Sequence, residues 1–219
     1  MKTRLVFVRH GESTGNLNKC MYGHFNGELT EKGVRQAELT AEFLKDWHFD
    51  IAVSSDLIRA YNTCRVILKH HPGVEVIKDE RIRETFIGDW EGMSRAEAAE
   101  KYPEQFRLWI EDIWKACPPG GESVPECTAR MHENIWRIAR EHAGKTVLVT
   151  GHAMVFRTLC CKWKGVPYER MQEIPWLSNA SVTVVDYDID NETTELIMYD
   201  EASFQGELRT TVRPFSELK

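Results

Sequence analysis

An arginine and a histidine stand side by side where a short apolar run ends. The segment LVFVRHGESTGN, residues 5–16, places Arg9 and His10 directly after four apolar residues. A guanidinium is a planar, permanently charged donor that suits phosphate oxygens, and a neutral imidazole nitrogen can act as a nucleophile. These residue types predict an anion site in which His10 attacks phosphorus in line and forms a phosphohistidine that water later cleaves.

Three more charged or imidazole side chains follow later apolar runs of the sequence. Arg59 would add a second guanidinium in the first turn of a helix, where backbone N–H groups and the helix dipole also favour anions. His152 would be a second imidazole that donates to the phosphoryl oxygens as charge spreads over them in the transition state. Glu84 is the candidate acid that protonates the leaving alkoxide.

Small residues and one amide complete the predicted phosphate-binding set. Gly11 has no Cβ and would let the backbone approach an anion closely. Asn16 can add an amide donor. The other residues expected to bind substrate or phosphate are Gly23, Gly151 and Ala153.

The elements that must position these residues alternate between strands and helices. Apolar runs predict strands at 5–8, 51–54, 74–77 and 146–150, and a hairpin over 181–187 and 195–199. Helical spacing predicts helices at 30–47, 56–70, 94–116 with a break at Pro103, 123–142 and 154–163. This order predicts an α/β three-layer sandwich, with a mostly parallel central sheet, helices on both faces and a helical cap insertion at about 91–122. We expect one domain over residues 1–219.

The predicted topology also indicates where the candidate site residues lie. In sheets of this kind, ligand sites lie where parallel strands reach their carboxyl ends. The four clusters carrying Arg9 and His10, Arg59, Glu84, and His152 each follow a predicted strand. We therefore expect them to meet at one edge of the sheet.

Composition limits the classes of function. A formal net charge of −6 argues against a nucleic-acid binder, although a few focused charges can still attract a small anion. No apolar stretch approaches the ~20 residues that span a bilayer, and the apolar run near the start is too short for a signal peptide. We therefore expect a soluble, cytoplasmic protein without a membrane partner. The six cysteines form no CxxC pair and are expected to be reduced.

Several motifs together resemble the histidine phosphatase superfamily, in its phosphoglycerate mutase-like branch (branch 1). The segments that carry the resemblance, over residues 3 to 187, are RHGE with Asn16, LTEKG with Gln36, SSDLIRA with Thr63, RE with GDWEG, GGES, VTGH and NAS. The resemblance implies that His10 is phosphorylated and that Arg9, Arg59 and His152 form the phosphate pocket. It also implies that Glu84 donates the proton and that no metal or organic cofactor takes part.

Among the positions that differ from the pattern of that family, two flank the second histidine, and Asn26-Gly27-Glu28 stands where Asp-x-Pro is common. Gly151 stands where Ser or Thr often precedes the second histidine, and Ala153 stands where glycine often follows it. A lost hydroxyl could remove one donor to phosphate, while alanine fits unless the backbone needs a positive φ.

Three functions remain open from the sequence. The first is a phosphomonoester hydrolase acting on a small phosphorylated metabolite. The second is a phosphoglycerate mutase-type isomerase, which the lack of a basic insertion between Thr85 and Gly151 disfavours. The third is a phospho-ligand binding module without turnover, which would be expected to lack one of the five proposed catalytic groups. The oligomeric state is also open, with a homodimer as the alternative to a monomer.

Overall fold

A six-stranded sheet runs through the centre of the computed structural model, which describes residues 1–210. The strands are β1 (Lys2–Arg9), β2 (Ile51–Ser54), β3 (Val76–Lys78), β4 (Thr146–Gly151), β5 (Val182–Asp188) and β6 (Thr193–Glu201). Their order is β3-β2-β4-β1-β5-β6. The first four in this order are parallel, whereas β5 and β6 pair in antiparallel fashion. The sheet is thus mostly parallel, with β4 and β1 adjacent at its middle.

The helices connect these strands, and side chains cap several of them at their N-terminus. They are α1 (Thr14–Leu17), α2 (Glu31–Leu44), α3 (Ile58–Ile67), α4 (Arg95–Lys101), α5 (Pro103–Glu111), α6 (Val124–Glu141) and α7 (Ala153–Trp163). The Thr30 hydroxyl caps α2 by accepting the Gly33 N–H. Ser123 and Glu126 form the predicted capping box of α6.

The three predicted layers follow from the alternation of side chains along the strands. In β1, Leu5 and Phe7 join the apolar cluster that includes residues of α6 and α7. Val6 and Val8 point to the other face, into the cluster that includes residues of α2 and α3. Central strands buried on both faces are typical of parallel sheets covered by helices. The α/β three-layer architecture is confirmed.

Several predicted boundaries were wrong, for local reasons. Helix α3 begins at Ile58 rather than Asp56, because Leu57 is the extended N-cap residue. Strand β3 lies two residues later than its predicted start. The break predicted at Pro103 is present, because Tyr102 has a non-helical backbone and a residue before proline avoids the α region.

The predicted cap segment, residues 91–122, contains α4, α5 and a short 3-10 helix at Ile113–Lys115. Trp90, fully buried, packs edge-on against Trp109 and Phe106 of α5. The last part of the predicted domain, residues 211–219, lies outside the described residues. Within residues 1–210, no helix has the length and apolar content needed to cross a membrane.

Candidate active site

The two histidines meet because their strands are neighbours. Arg9 at the end of β1 pairs with Gly151 at the end of β4. The His10 N–H then donates to the Gly151 carbonyl oxygen at 3.0 Å. This register brings the His10 and His152 rings to a centroid distance of 5.3 Å.

A hydrogen bond selects the tautomer of His10. Its Nδ1 lies 2.7 Å from the Gly11 carbonyl oxygen, which can only accept, so Nδ1 carries the proton. In the neutral ring the lone pair is therefore on Nε2. Burial, with the nearby charges of Arg59 and Arg9, holds the pKa of His10 well below its ordinary value of 6.5. The ring is thus a neutral base with a free nitrogen at physiological pH.

The same burial makes stability depend on pH. Burial, followed by the charge of Arg59, also holds the pKa of His152 well below 6.5. The unfolded chain binds protons at these imidazoles near pH 6.5 and the folded chain does not. Below about pH 6.5, protons therefore favour unfolding, and each imidazole lowers the free energy of unfolding by about 1 kcal/mol per pH unit.

We expect the substitution His10→Asn to make this dependence shallower. Urea unfolding at a series of pH values between about 6 and 5 measures the slope for both proteins. Equal slopes would contradict a buried, neutral His10.

His152 is fully buried and touches a serine hydroxyl. Its Nε2 lies 2.8 Å from Ser55 Oγ, and Ser55 Oγ also accepts the Leu57 N–H at 3.4 Å. The serine hydroxyl can donate its proton to Nε2, and the imidazole proton is then on Nδ1. That Nδ1 is buried without a hydrogen-bond partner among residues 1–210. In this tautomer His152 keeps a spare N–H donor.

Both predicted arginines are buried and partly committed to backbone carbonyls. Arg59 donates to the carbonyl oxygens of Phe25 at 2.9 Å and Gly23 at 2.8 Å. Arg9 donates to the Leu177 carbonyl oxygen, and its Nε has no partner within the described part of the chain. Burial lowers the pKa of Arg9 to about 10, against the opposing effect of Glu84. Both guanidinium groups remain charged near neutral pH.

The Glu84 carboxylate is bound at the N-terminus of α7. Its Oε1 accepts N–H bonds from Thr85 at 2.9 Å and Val155 at 3.3 Å, and its Oε2 accepts one from Met154 at 3.1 Å. These bonds stabilise the charged carboxylate and fix its orientation. Sequence reasoning did not predict this anchoring, because it depends on where α7 begins in space.

Asn16 is oriented by residues distant in sequence. Its Oδ1 accepts N–H bonds from Ser13 at 3.1 Å and from Asn179 Nδ2 at 3.3 Å, so its own Nδ2 remains available as a donor. Asn179 Nδ2 also donates to the His10 carbonyl oxygen at 3.0 Å. No role was predicted for Asn179 or Ser55. Their only sequence signal was membership of the NAS and SSDLIRA motifs.

Two of the predicted glycines serve packing. A Cβ at Gly11 would lie 2.3 Å from the Gly33 carbonyl oxygen, so the close approach is to α2. A Cβ at Gly151 would lie 2.7 Å from Cζ of the Phe156 ring, so a larger residue there would require that ring to shift.

The other two small residues face the site more directly. Gly23 belongs to the loop whose carbonyl groups bind Arg59, and a Cβ at this position would lie 2.4 Å from Glu91 Oε1. Ala153 begins α7, and its backbone φ is not positive, so alanine is accommodated without strain.

A cavity of about 870 Å³ opens at this edge of the sheet. The predicted site residues that line it are Arg9, His10, Asn16, Gly23, Arg59, Glu84 and Ala153. Among the described residues, its lining does not include Gly11, Gly151 or His152. Within residues 1–210, no group of three His, Cys, Asp or Glu side chains could hold a metal ion.

Comparison with known proteins identifies the family of this chain. A model described as the histidine phosphatase superfamily (branch 1) matches residues 5–199. Phosphoserine phosphatase 1 of Hydrogenobacter thermophilus is 36% identical over 182 residues, which cover 83% of this chain and 85% of that protein. A 2,3-bisphosphoglycerate-dependent phosphoglycerate mutase of Allorhizobium ampelinum is 37% identical over 169 residues, covering 73% and 78%.

A solved structure also matches closely. YhfR of Bacillus stearothermophilus has a TM-score of 0.87 and 28% identity to this chain, covering 92% of this chain and 98% of that one. The chain therefore belongs to branch 1 of the histidine phosphatase superfamily, a family of enzymes, as its motifs predict.

Proposed function

We propose that the chain hydrolyses small phosphate monoesters through a phosphohistidine on His10. The observation that supports this most is that His10, Arg9, Arg59 and Glu84 line one cavity. His10 Nε2 has no hydrogen-bond partner among residues 1–210, and the tautomer set by Gly11 leaves its lone pair there. A nucleophile, two cations and an acid are the groups that such a reaction needs.

In the first step, His10 Nε2 attacks phosphorus in line and the ester P–O bond breaks. The electron pair of that bond leaves with the alkoxide oxygen, which takes a proton from Glu84. Arg9 and Arg59 stabilise the charge on the phosphoryl oxygens, and His152 is proposed to add an N–H donor from its buried Nδ1.

In the second step, water attacks the phosphohistidine. Glu84, now a carboxylate, takes a proton from that water as its oxygen bonds to phosphorus. The P–N bond breaks, its electron pair returns to His10 Nε2, and inorganic phosphate leaves. Every group is thereby restored to its starting state.

Glu84 must be protonated when the ester bond breaks, although three backbone N–H groups stabilise its charge. The first step therefore starts from the protonated form of Glu84 and ends with its carboxylate.

A mutase is the second candidate, because a named phosphoglycerate mutase is among the relatives of this chain. It would use the same first step and return the phosphoryl group to a different hydroxyl. We favour hydrolysis because the cavity, at about 870 Å³, is much larger than a glycerate body requires. A cytoplasmic location is also part of the proposal and is supported by the six cysteines, all of which carry free thiols.

Two assays on the purified chain separate the three functions. One measures inorganic phosphate release from alkyl and aryl phosphates, phosphoserine and 3-phosphoglycerate. The other measures isomerisation of 3-phosphoglycerate primed by 2,3-bisphosphoglycerate. We expect phosphate release without isomerisation. Isomer formed without free phosphate would establish the mutase, and no turnover in either assay would favour a binding module.

Ser55 is proposed to position His152 rather than to touch the phosphate. We expect Ser55→Ala to lower kcat/KM about tenfold, because the hydroxyl that keeps the His152 proton on Nδ1 is removed. The tautomer can be measured separately from the ¹⁵N chemical shifts of the ring.

Ser54→Ala is the matched control for this change. Ser54 is equally buried but bonds to the Ser55 carbonyl oxygen and to Thr150, not to the imidazole. An unchanged His152 tautomer in Ser55→Ala would exclude the positioning role.

A further inference from the structure

The cavity is much larger than a phosphoryl group. Its volume of about 870 Å³ lies in the upper part of the range found for pockets that enclose drug-sized ligands. Arg9, His10 and Arg59 line only its phosphate-binding end. The remaining space must hold the alcohol that leaves with the ester oxygen, and its lining therefore reports on the chemistry of that alcohol.

Apolar and aromatic side chains form much of the remaining lining, beside charged ones that include Lys19 and Arg95. The apolar and aromatic ones are Met21, Ile87, Phe106, Trp109, Ile110, Met154 and Trp176. Phe106, Trp109 and Ile110 are spaced three and four residues apart on α5, so they share one face of that helix. This face gives the cavity an apolar wall of two rings and a branched side chain.

The aromatic side chains of this wall are held in place from behind. Trp90 is fully buried and contacts Phe106 and Trp109 edge-on, with ring centroids 5.7 and 5.6 Å away. Trp176 lies in the segment between α7 and β5, and the Arg157 guanidinium of α7 lies 4.6 Å from the centroid of its ring. Rings that are already fixed lose little freedom when a ligand binds, so contact with them contributes more to affinity.

Arg157 itself is kept in place without a carboxylate partner among the described residues. Its guanidinium is buried and donates to the carbonyl oxygens of Ile174 at 2.8 Å and Met171 at 2.9 Å. These two bonds fix the guanidinium under the Trp176 ring. The position of Trp176 at the cavity is thus set by the same segment that links α7 to β5.

We propose that the leaving group of the preferred substrate is a ring-bearing, predominantly apolar alcohol that packs against Phe106, Trp109 and Trp176. This inference rests on the proposed function and names the substrate class for the same site. The P–O bond still breaks at the phosphate-binding end, and the apolar alcohol leaves with the proton from Glu84. Three-carbon carboxylated bodies, such as those of phosphoserine and 3-phosphoglycerate, would leave the aromatic wall uncovered.

Arg95 also lines the cavity, and a guanidinium would favour a carboxylated body instead. The substrates that test the inference must therefore include charged ones. Two of them must also have leaving alcohols of similar acidity, so that both need a proton from Glu84 to the same extent. Propyl phosphate and 3-phenylpropyl phosphate form such a pair and differ only in a terminal ring.

The experiment measures kcat/KM of the purified chain for this pair, for phosphoserine, for 3-phosphoglycerate and for p-nitrophenyl phosphate. We expect the phenylpropyl ester to exceed propyl phosphate by about tenfold to a hundredfold, the value of burying one ring. Equal values for the pair, or higher values for the carboxylated esters, would overturn the inference while leaving the hydrolase intact. No release of phosphate even from p-nitrophenyl phosphate would overturn the proposed function and the inference with it.

Two variants of α5 test whether its apolar face causes the preference for the phenylpropyl ester. Phe106→Ala should lower the ratio of kcat/KM between the phenylpropyl and propyl esters several-fold. Leu108→Ala removes a comparable side chain from the same helix at a position outside the cavity lining, and should leave that ratio unchanged. If Phe106→Ala fails to fold, Trp176→Ala tests another ring of the lining with the same expected result. An unchanged ratio in folded Phe106→Ala or Trp176→Ala would overturn the inference.

Discussion

Replacing His10 by asparagine should abolish phosphate release, with a loss of about ten-thousandfold or more. Asparagine can still donate to the Gly11 carbonyl oxygen, but it offers no basic nitrogen to attack phosphorus. The burial and tautomer of His10 leave Nε2 as that nitrogen. Initial rates on p-nitrophenyl phosphate, whose leaving group needs no acid, measure the effect.

The same variant should lose the covalent intermediate. Denaturing the wild type at alkaline pH after mixing with ³²P-labelled substrate should trap label that is stable to alkali and released by acid. His132→Asn is a suitable control, because His132 bonds to the Tyr168 hydroxyl at 2.7 Å outside the cavity lining. A His10→Asn protein that still forms labelled enzyme, or turns over within tenfold of wild type, would exclude His10 as the nucleophile.

Replacing Glu84 by glutamine should produce a loss that depends on the leaving group. Alkyl phosphates release a strongly basic alkoxide, so their kcat/KM should fall by about a hundredfold to ten-thousandfold. Aryl phosphates release a weakly basic phenolate, and we expect them to fall by less than about tenfold. Parallel assays of propyl phosphate and p-nitrophenyl phosphate give the ratio directly.

Glu12 is the matched control, because it is another carboxylate on the cavity wall. It accepts a hydrogen bond from the Thr30 hydroxyl at 3.0 Å and pairs with Lys32 at 3.5 Å. Glu12→Gln should affect both substrates alike. Equal losses of kcat/KM on the alkyl and aryl phosphates in Glu84→Gln would contradict the role of Glu84 as the acid. A loss that depends on the leaving group in Glu12→Gln alone would contradict it as well.

The fold was predictable because the apolar runs of strands and the apolar spacing of helices can be recognised in short segments of the sequence. Leu5, Val6, Phe7 and Val8 are apolar on both faces, which predicts a central strand covered by helices on each side. The rule that ligands bind at the carboxyl ends of parallel strands then predicted that His10 would lie close to its partners. The residue types alone were sufficient for this much.

The parts that could not be predicted depend on contacts between distant segments. Nothing in the sequence indicates that Gly151 lies against the ring of Phe156, or that Gly11 packs on Gly33. The hydrogen bonds of Glu84 need the start of α7 to lie beside a loop 70 residues earlier. Such contacts are set by the assembled sheet, and spacing along the chain does not reveal them.

The bond from Asn179 to the His10 carbonyl oxygen joins residues 169 positions apart. During synthesis, the ribosome must therefore have released most of the chain before the centre can take its final shape. A chain that ends before Asn179 lacks the amide that bonds to the His10 carbonyl oxygen and to Asn16 Oδ1. Contacts of such long sequence separation also form slowly, so the appearance of activity during refolding reports completion of the native topology.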